Sequence, residues 1–244
     1  MVLTYALAAV IFVSLLSLAG AAFLVMKRKL LSRLMTYLLA LSSGILLGSA
    51  FLDLLPEGLE LLPDSALLWV LAGIVFFFCL EKLLSWHHHV DGDHSGDDKA
   101  VGYLSLVGDG IHNFVDGVVM GAAFLVSIPL GISTTVAVVA HELPHELADF
   151  AVLLHSGLSA PKALFLNFLS ALTAVAGTLV VFFLASYSDV LVPHLVPFAA
   201  GNFIYIAASD LIPELHKKRS HHVSLIQMAA LIAGIWIVTL LPHE

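Results

Sequence analysis

The sequence predicts an all-α polytopic membrane protein with eight transmembrane helices, and three observations predict it. Of 244 residues, 60% are hydrophobic and 11% charged, with a mean hydropathy of +1.01, whereas soluble domains run nearer half apolar and a quarter charged. Apolar stretches of about 20 residues, the length that crosses a bilayer, recur along the whole chain. All 10 lysines and arginines fall on one side of an eight-span scheme, and a wrong span count would have scattered them.

Taken in order, the apolar stretches place helices near 2–26, 35–60, 65–86, 102–126, 130–155, 161–186, 195–214 and 223–241, in a single transmembrane domain over 1–244. The first stretch is too long for a signal-peptide core and lacks a basic lead-in, so it reads as a retained span. The second ends in acids and meets the turn "LLPDS" at 61–65 before the third begins. After the third comes the one sizeable loop, "SWHHHVDGDHSGDDKA" at 85–100, whose segment 87–100 is flexible and rich in His and Asp. "SIPLG" at 127–131 separates spans four and five, which are polar for lipid. "HSGLSAP" at 155–161 and "SYSDVLVP" at 186–193 introduce spans six and seven.

Lys27, Arg28, Lys29 and Arg33 follow span one, and Lys82 and Lys99 bracket the loop after span three. Lys162 follows span five, and Lys217, Lys218 and Arg219 follow span seven. The positive-inside rule makes that side cytoplasmic and both termini extracytoplasmic. A short chain with no large outer domain points to a plasma membrane. Cys79 stands alone, so an internal disulfide and a CxxC-type zinc or redox site are excluded. A net charge of −8 argues against nucleic acid as a partner, and no glycine run of P-loop type points to nucleotide hydrolysis. The expected partners are divalent metal ions and the bilayer, and a homodimer is compatible with the sequence.

Span two reads "SGILLGSAFLDLLPE" (43–57) and span seven "AGNFIYIAASDLIPE" (200–214), with equal glycine-to-aspartate spacing and a shared D-[LI]-x-P-E end. One ends outside and the other inside. Matching segments in opposite orientation mark an inverted repeat, a device for building two alternately exposed gates. Chance recurrence of small-residue faces and Pro-Glu helix ends is the bland alternative.

Spans four and five carry the chemistry. In "DGIHNFVDG" (109–117), His112 and Asp116 are i and i+4 on one helical face, with Asn113 beside them. In "HELPHELADF" (141–150), His141 stacks over His145 and Glu142 over Glu146, and Asp149 continues the histidine row. Six titratable groups near the bilayer centre would cost on the order of 15–20 kcal/mol on insertion scales. No lysine or arginine lies in either span to offset them. A divalent cation between the two faces is the natural counter-charge. Mixed imidazole and carboxylate ligands suit zinc, iron or manganese, and the lack of thiolate disfavours copper(I). Pro144 removes one helix hydrogen bond and frees the carbonyl of Ala140, which a membrane tolerates only where neighbours satisfy the freed group.

"HELPH" also matches H-E-x-x-H, in which two histidines bind zinc and the glutamate activates water in metalloproteases. An intramembrane protease of that kind needs a later Asp-Gly pair for its third ligand. The Asp-Gly pairs at 91, 109 and 116 all precede the motif, and a protease leaves span four unexplained.

"HNFVDG" followed by "HELPHELAD" resembles the paired signature of the ZIP family of divalent-metal transporters, closest to the subfamily defined by H-E-x-P-H-E-x-G-D. The resemblance covers essentially the whole chain; Ala148 stands where the subfamily usually has glycine. It implies eight helices in an inverted-repeat 3+2+3 arrangement that carry zinc, or else iron, manganese or cadmium, into the cytoplasm, with no organic cofactor. His112, Asp116, His141 and His145 would form the primary metal site, and Asn113, Glu142 and Glu146 an adjacent second one. In other branches span six adds a carboxylate, where Ser170 stands here. Asp53 and Glu57 would lie near the outer mouth, and Asp210 and Glu214 near the inner one. His87, His88, His89, Asp91, Asp93, His94, Asp97 and Asp98 would collect or sense metal at the exit, with His216, His221 and His222 in the last cytoplasmic loop.

Overall fold

Turn and breaker residues divide the chain into helical rods, numbered here α1 to α8. The computed structural model describes residues 1–21, 24, 26–89, 98–217 and 221–241, and all elements among them are helical. α1 (Val2–Gly20) is α-helical to Leu15 and tightens into a 3-10 turn at Leu16–Gly20. α2 starts at Arg28, ahead of the apolar run, and continues to Gly48. It then widens through a π-helical turn at Ser49–Leu54 and finishes as Leu55–Leu61. The sequence predicts a start near 35 because Arg28, Lys29 and Arg33 interrupt the apolar pattern, which they do without breaking the helix.

α3 (Ala66–His89) carries helix into the histidine-rich stretch; residues 90–97 of the expected loop lie outside the described residues. α4 (Asp98–Val126) and α5 (Ile128–His155) meet at Ser127, whose side chain accepts the Leu130 N–H at 3.1 Å, with Pro129 in the first turn. That N-cap and proline start α5 on a fixed heading. α5 stops at Gly157, whose φ of +84° only glycine adopts freely. The Leu158 N–H reaches back to Leu153 O at 3.2 Å and the Gly157 N–H to Leu154 O at 3.1 Å, a Schellman closure with Leu158 packed against Leu153. α6 (Ala160–Phe183) breaks at Leu172. α7 (Ala185–His216) contains a second π-helical turn at Ile206–Leu211, and α8 is His221–Val238.

Six rods, α1, α2, α3, α6, α7 and α8, are long and apolar enough to cross a membrane. The chain is therefore an all-α, multi-pass membrane protein. α4 and α5 are not among the six, because they carry the polar motifs.

In lipid the rods are held by close packing more than by the hydrophobic effect, and small residues set how close they come. A Cβ on Gly44 of α2 would lie 2.0 Å from the Leu231 carbonyl oxygen of α8, and one on Gly234 would lie 2.3 Å from Leu41 O. The α7–α3 crossing has the same design: Gly201 would meet Val70 O at 2.0 Å and Gly73 would meet Phe198 O at 2.3 Å. α4 and α6 touch through Gly117, 1.9 Å from Ala174 O, and Gly177, 2.1 Å from Phe114 O by the same measure. Hydroxyls reinforce this corner: Ser14 of α1 donates to Ala171 O (2.9 Å), and Thr178 donates to Gly117 O (2.9 Å). Gly20 of α1 lies under the Phe150 ring of α5. Leu46, Leu54, Met120, Val138, Phe203 and Ile206 join in one buried cluster around the polar faces of α4 and α5.

Candidate metal centre

The i,i+4 rows of α4 and α5 face each other across the bundle centre. Ligand atoms of His112, Asp116, His141 and Glu142 all lie within 4.8 Å of one another. His141 Nε2 is 3.0 Å from Asp116 Oδ2 and 3.6 Å from Glu142 Oε1. His112 Nε2 is 3.2 Å from Glu142 Oε1, 3.8 Å from Asp116 Oδ2 and 3.3 Å from His141 Nε2. His141 Nδ1 lies 3.0 Å from Ala137 O. A proton on Nδ1 donated to that carbonyl leaves the Nε2 lone pair facing the group, as a metal-ligating histidine requires.

Burial decides what this arrangement asks for. His141, Asp116 and Glu142 are no more than 1% exposed, and Asp116 Oδ1 finds no hydrogen-bond partner. No lysine or arginine occurs between residues 102 and 155. Two carboxylates and two imidazoles converging in a buried interior are stable with a cation among them and costly without one.

The other expected residues are placed differently. His145 stacks on His112, with ring centroids 5.3 Å apart and planes 14° from parallel, at the rim of the four-residue group. Asn113 turns away from that group and donates its amide N–H to Asp109 Oδ1 at 2.9 Å and to Asp109 O at 3.2 Å. Glu146 accepts from the Asn167 amide of α6 and falls in a second cluster with Asp109 and Glu142. Asp109 was not among the expected ligands. Its signal is its spacing: it lies three residues before His112 and four before Asn113, on the face that the motif already uses. Asp149 accepts from Ser105 at 3.1 Å.

Pro144 frees the Ala140 carbonyl, and the Ser42 hydroxyl of α2 donates to that oxygen. The helix break in α5 is thus satisfied from a neighbouring rod, as a membrane interior demands.

The two ends of the bundle are unlike. Asp53 is 7% exposed and accepts from the Ser133 hydroxyl. Asp210, which holds the same place in the second π-helical turn, opens on two cavities. One, of about 520 Å³, runs from His145 past Asp149 and Asp210 to Glu214. The other, of about 170 Å³, is lined by Glu81, Asp109, His112, His145, Asp149 and Asp210. Beyond Glu214, Lys217 pairs with it at 2.5 Å in the open. The larger cavity thus leads from Glu214 to His145 at the rim of the metal group, and the smaller one touches His112 itself. His221 and His222 lie at the exposed start of α8, and Glu57 on α2 beyond Asp53.

A family model described as ZIP Zinc transporter matches residues 1–102 and 87–242, which is nearly the entire chain. The chain belongs to the ZIP zinc transporter family. Among its relatives, Zinc transporter ZIP13 of Pongo abelii is 36% identical over 219 residues, covering 83% of this chain and 65% of its own length. Metal cation symporter ZIP14 of Xenopus tropicalis is 31% identical over 318 residues, covering 97% of this chain and 68% of its own. Zinc transporter SLC39A7 of Mus musculus is 31% identical over 302 residues, covering 86% and 63%. The ZIP chain thus spans about two thirds of the length of these relatives.

Membership in a transporter family leaves the protease reading of "HELPH" without support. His141 pairs with Asp116 of α4, a partner on a second helix that the protease motif does not account for.

Proposed function

We propose that this ZIP chain carries zinc, or another first-row divalent cation, across the membrane into the cytoplasm. The observation that carries this reading is the buried convergence of His112, Asp116, His141 and Glu142 with no cationic side chain to balance it. The relatives' printed activities, zinc transport and metal cation symport, favour the same cargo. The ion is held between α4 and α5, passes His145 at the rim, and leaves along the cavity edged by Asp149, Asp210 and Glu214. Asn113 and Glu146 act from the second cluster beside it.

The domain is a single eight-span bundle in a 3+2+3 inverted repeat, set in a plasma membrane with both termini outside. α5 has 28 residues, and at 1.5 Å per residue its ~42 Å exceeds a ~30 Å hydrocarbon core. Its polar face, with that of α4, is shielded from lipid by the other six rods. Two features support the repeat. The π-helical turns at Ser49–Leu54 and Ile206–Leu211 hold the two repeat aspartates in corresponding places, each just before a Pro-Glu. The α2–α8 and α7–α3 crossings use glycine contacts that correspond residue for residue.

Uptake into proteoliposomes, with zinc, iron, manganese and cadmium in competition, tests the reading. Asp116→Ala and His141→Ala should each remove most uptake, and the double variant should add little, since both dismantle one site. Full additivity, or uptake unchanged in either single variant with normal insertion, would overturn it.

A further inference from the structure

Away from the metal group, α4 and α6 leave an apolar groove of about 590 Å³ between them. α4 lines it from Tyr103 to Phe114 and α6 from Leu166 to Ala176. At 1.5 Å per residue each wall is ~15 Å long, half of a ~30 Å hydrocarbon core, so the groove has the depth of one leaflet. Val107 and Leu169 on its walls are 55% and 52% exposed, an apolar surface that only lipid can cover cheaply. Gly110 keeps the floor open, since a Cβ there would meet nothing closer than Ser170 Cβ and Thr173 Cγ2 at 3.7 Å. The polar atoms of the floor are already spent on protein partners. The Thr173 hydroxyl bonds to Gly110 O at 2.6 Å, and the Ser170 hydroxyl donates to Asp109. A hydrocarbon chain lying there therefore leaves no polar group stranded.

One end of the groove is charged. Lys162, near the start of α6, holds its ammonium over Tyr103: Nζ donates to Tyr103 Oη at 2.9 Å and lies 5.6 Å from the ring centroid. Both side chains are exposed. An ammonium has three N–H donors, and only one is turned to the tyrosine. Among the described residues no carboxylate pairs with Lys162, whereas Lys217 pairs with Glu214. A fixed cation at the mouth of a leaflet-deep apolar groove is complementary to an amphiphile with an anionic head. A partner's transmembrane helix fits less well, because it would cross both leaflets and the groove is lined over one.

We infer that the groove between α4 and α6 binds an anionic phospholipid, with one acyl chain lying from Tyr103 to Ala176 and the phosphate on Lys162. A zwitterionic head brings its own ammonium up to Lys162, so the site prefers heads that carry net negative charge. Free phosphate, without a tail, gains nothing from the groove. The site goes beyond the transport reading and does not depend on it, since no metal ligand lines the groove.

Native mass spectrometry of the purified full chain in mild detergent tests this, with phosphatidylglycerol and phosphatidylcholine of equal chain length as probes. Wild type should bind the first phosphatidylglycerol about fivefold tighter than the first phosphatidylcholine, the preference one lysine supplies near a membrane surface. Lys162→Ala should bring the two lipids to nearly equal affinity. Gly110→Leu fills the floor and should weaken both by several-fold. Should that variant fail to fold, Ala176→Phe at the exposed far end takes its place with the same expectation. Glycerol phosphate in excess should leave the lipid bound, and displacement would assign the site to a free anion instead. Equal affinity of wild type for the two lipids overturns the inference. So does a preference that survives Lys162→Ala, or a filled groove that binds both lipids as wild type does. Failure of the transport reading would show in metal uptake and leave these lipid affinities unchanged.

Discussion

Ser42 does for α5 what Pro144 cannot. The Ala140 carbonyl loses its helix donor to the proline, and the Ser42 hydroxyl replaces it from across the bundle. Ser42→Ala should therefore cost about 1–3 kcal/mol, the penalty of a buried acceptor left open, read as a lower unfolding midpoint in detergent. Pro144→Ala restores an N–H to the helix, so the Ser42→Ala loss should shrink in that background. An equal loss in both backgrounds would show that Ser42 acts by some other contact. At this scale much was legible in the sequence. Spacing alone put His112 over Asp116 and His141 over His145, because helical periodicity fixes which side chains share a face. Pro144 announced a freed carbonyl, though not the donor, since Ser42 lies 98 positions away. Spacing also could not say that Asn113 turns toward Asp109, because rotamers answer to neighbours on other helices.

At the scale of elements, the glycine crossings are the sharpest constraint. Gly44→Ala and Gly201→Ala each drive a methyl to 2.0 Å from a carbonyl oxygen, so the rods must part. Overpacking of this kind costs about 1–3 kcal/mol, and the corresponding contacts predict losses of similar size in the two variants. Gly110→Ala meets only ordinary contacts at 3.7 Å and should be nearly neutral. Thermal unfolding of the three variants in one detergent checks the ranking; a Gly110→Ala loss as large as the others would refute it. The glycines were visible in the sequence, but their partners were not, because the crossings join segments distant in the chain. The π-helical turns were invisible for a related reason. A wide turn arises when packing on both sides outweighs local preference, and no residue type encodes it. The polarity of α4 and α5 made them readable as special, and the same polarity keeps them from passing as membrane spans by composition.

For the whole molecule, the distribution of basic residues predicts orientation. With Cys79 replaced by serine, a membrane-impermeant thiol reagent added outside should label a cysteine at 243 and miss one at 96. Equal labelling would remove the topological scheme and, with it, the direction assigned to transport. Asp210 lines two cavities, whereas Asp53 is buried and bonded to Ser133.

The glycine contacts also sort the rods into two groups. α2 is clamped to α8 and α3 to α7, while α4 is clamped to α6 and α1 lies against α5. Ser14, Thr178, Asn167 and Ser170 tie rods only within the second set, and Tyr205 donates to Glu81 within the first. Of the hydrogen bonds described above, only Ser42 to Ala140 and Ser133 to Asp53 pass between the sets. Each contributes about 1 kcal/mol net, so apart from the shared apolar cluster few specific bonds tie the two sets together. The seam between them runs alongside α5, and hence alongside the ion. A sliding boundary there would carry the cargo bodily with α4 and α5 past a fixed frame. A disulfide joining positions 42 and 140 should then halt uptake, while one joining 121 and 181, where the Cβ positions of α4 and α6 come within 3.2 Å inside a single set, should spare it. Uptake that survives the first crosslink would place the moving surface elsewhere.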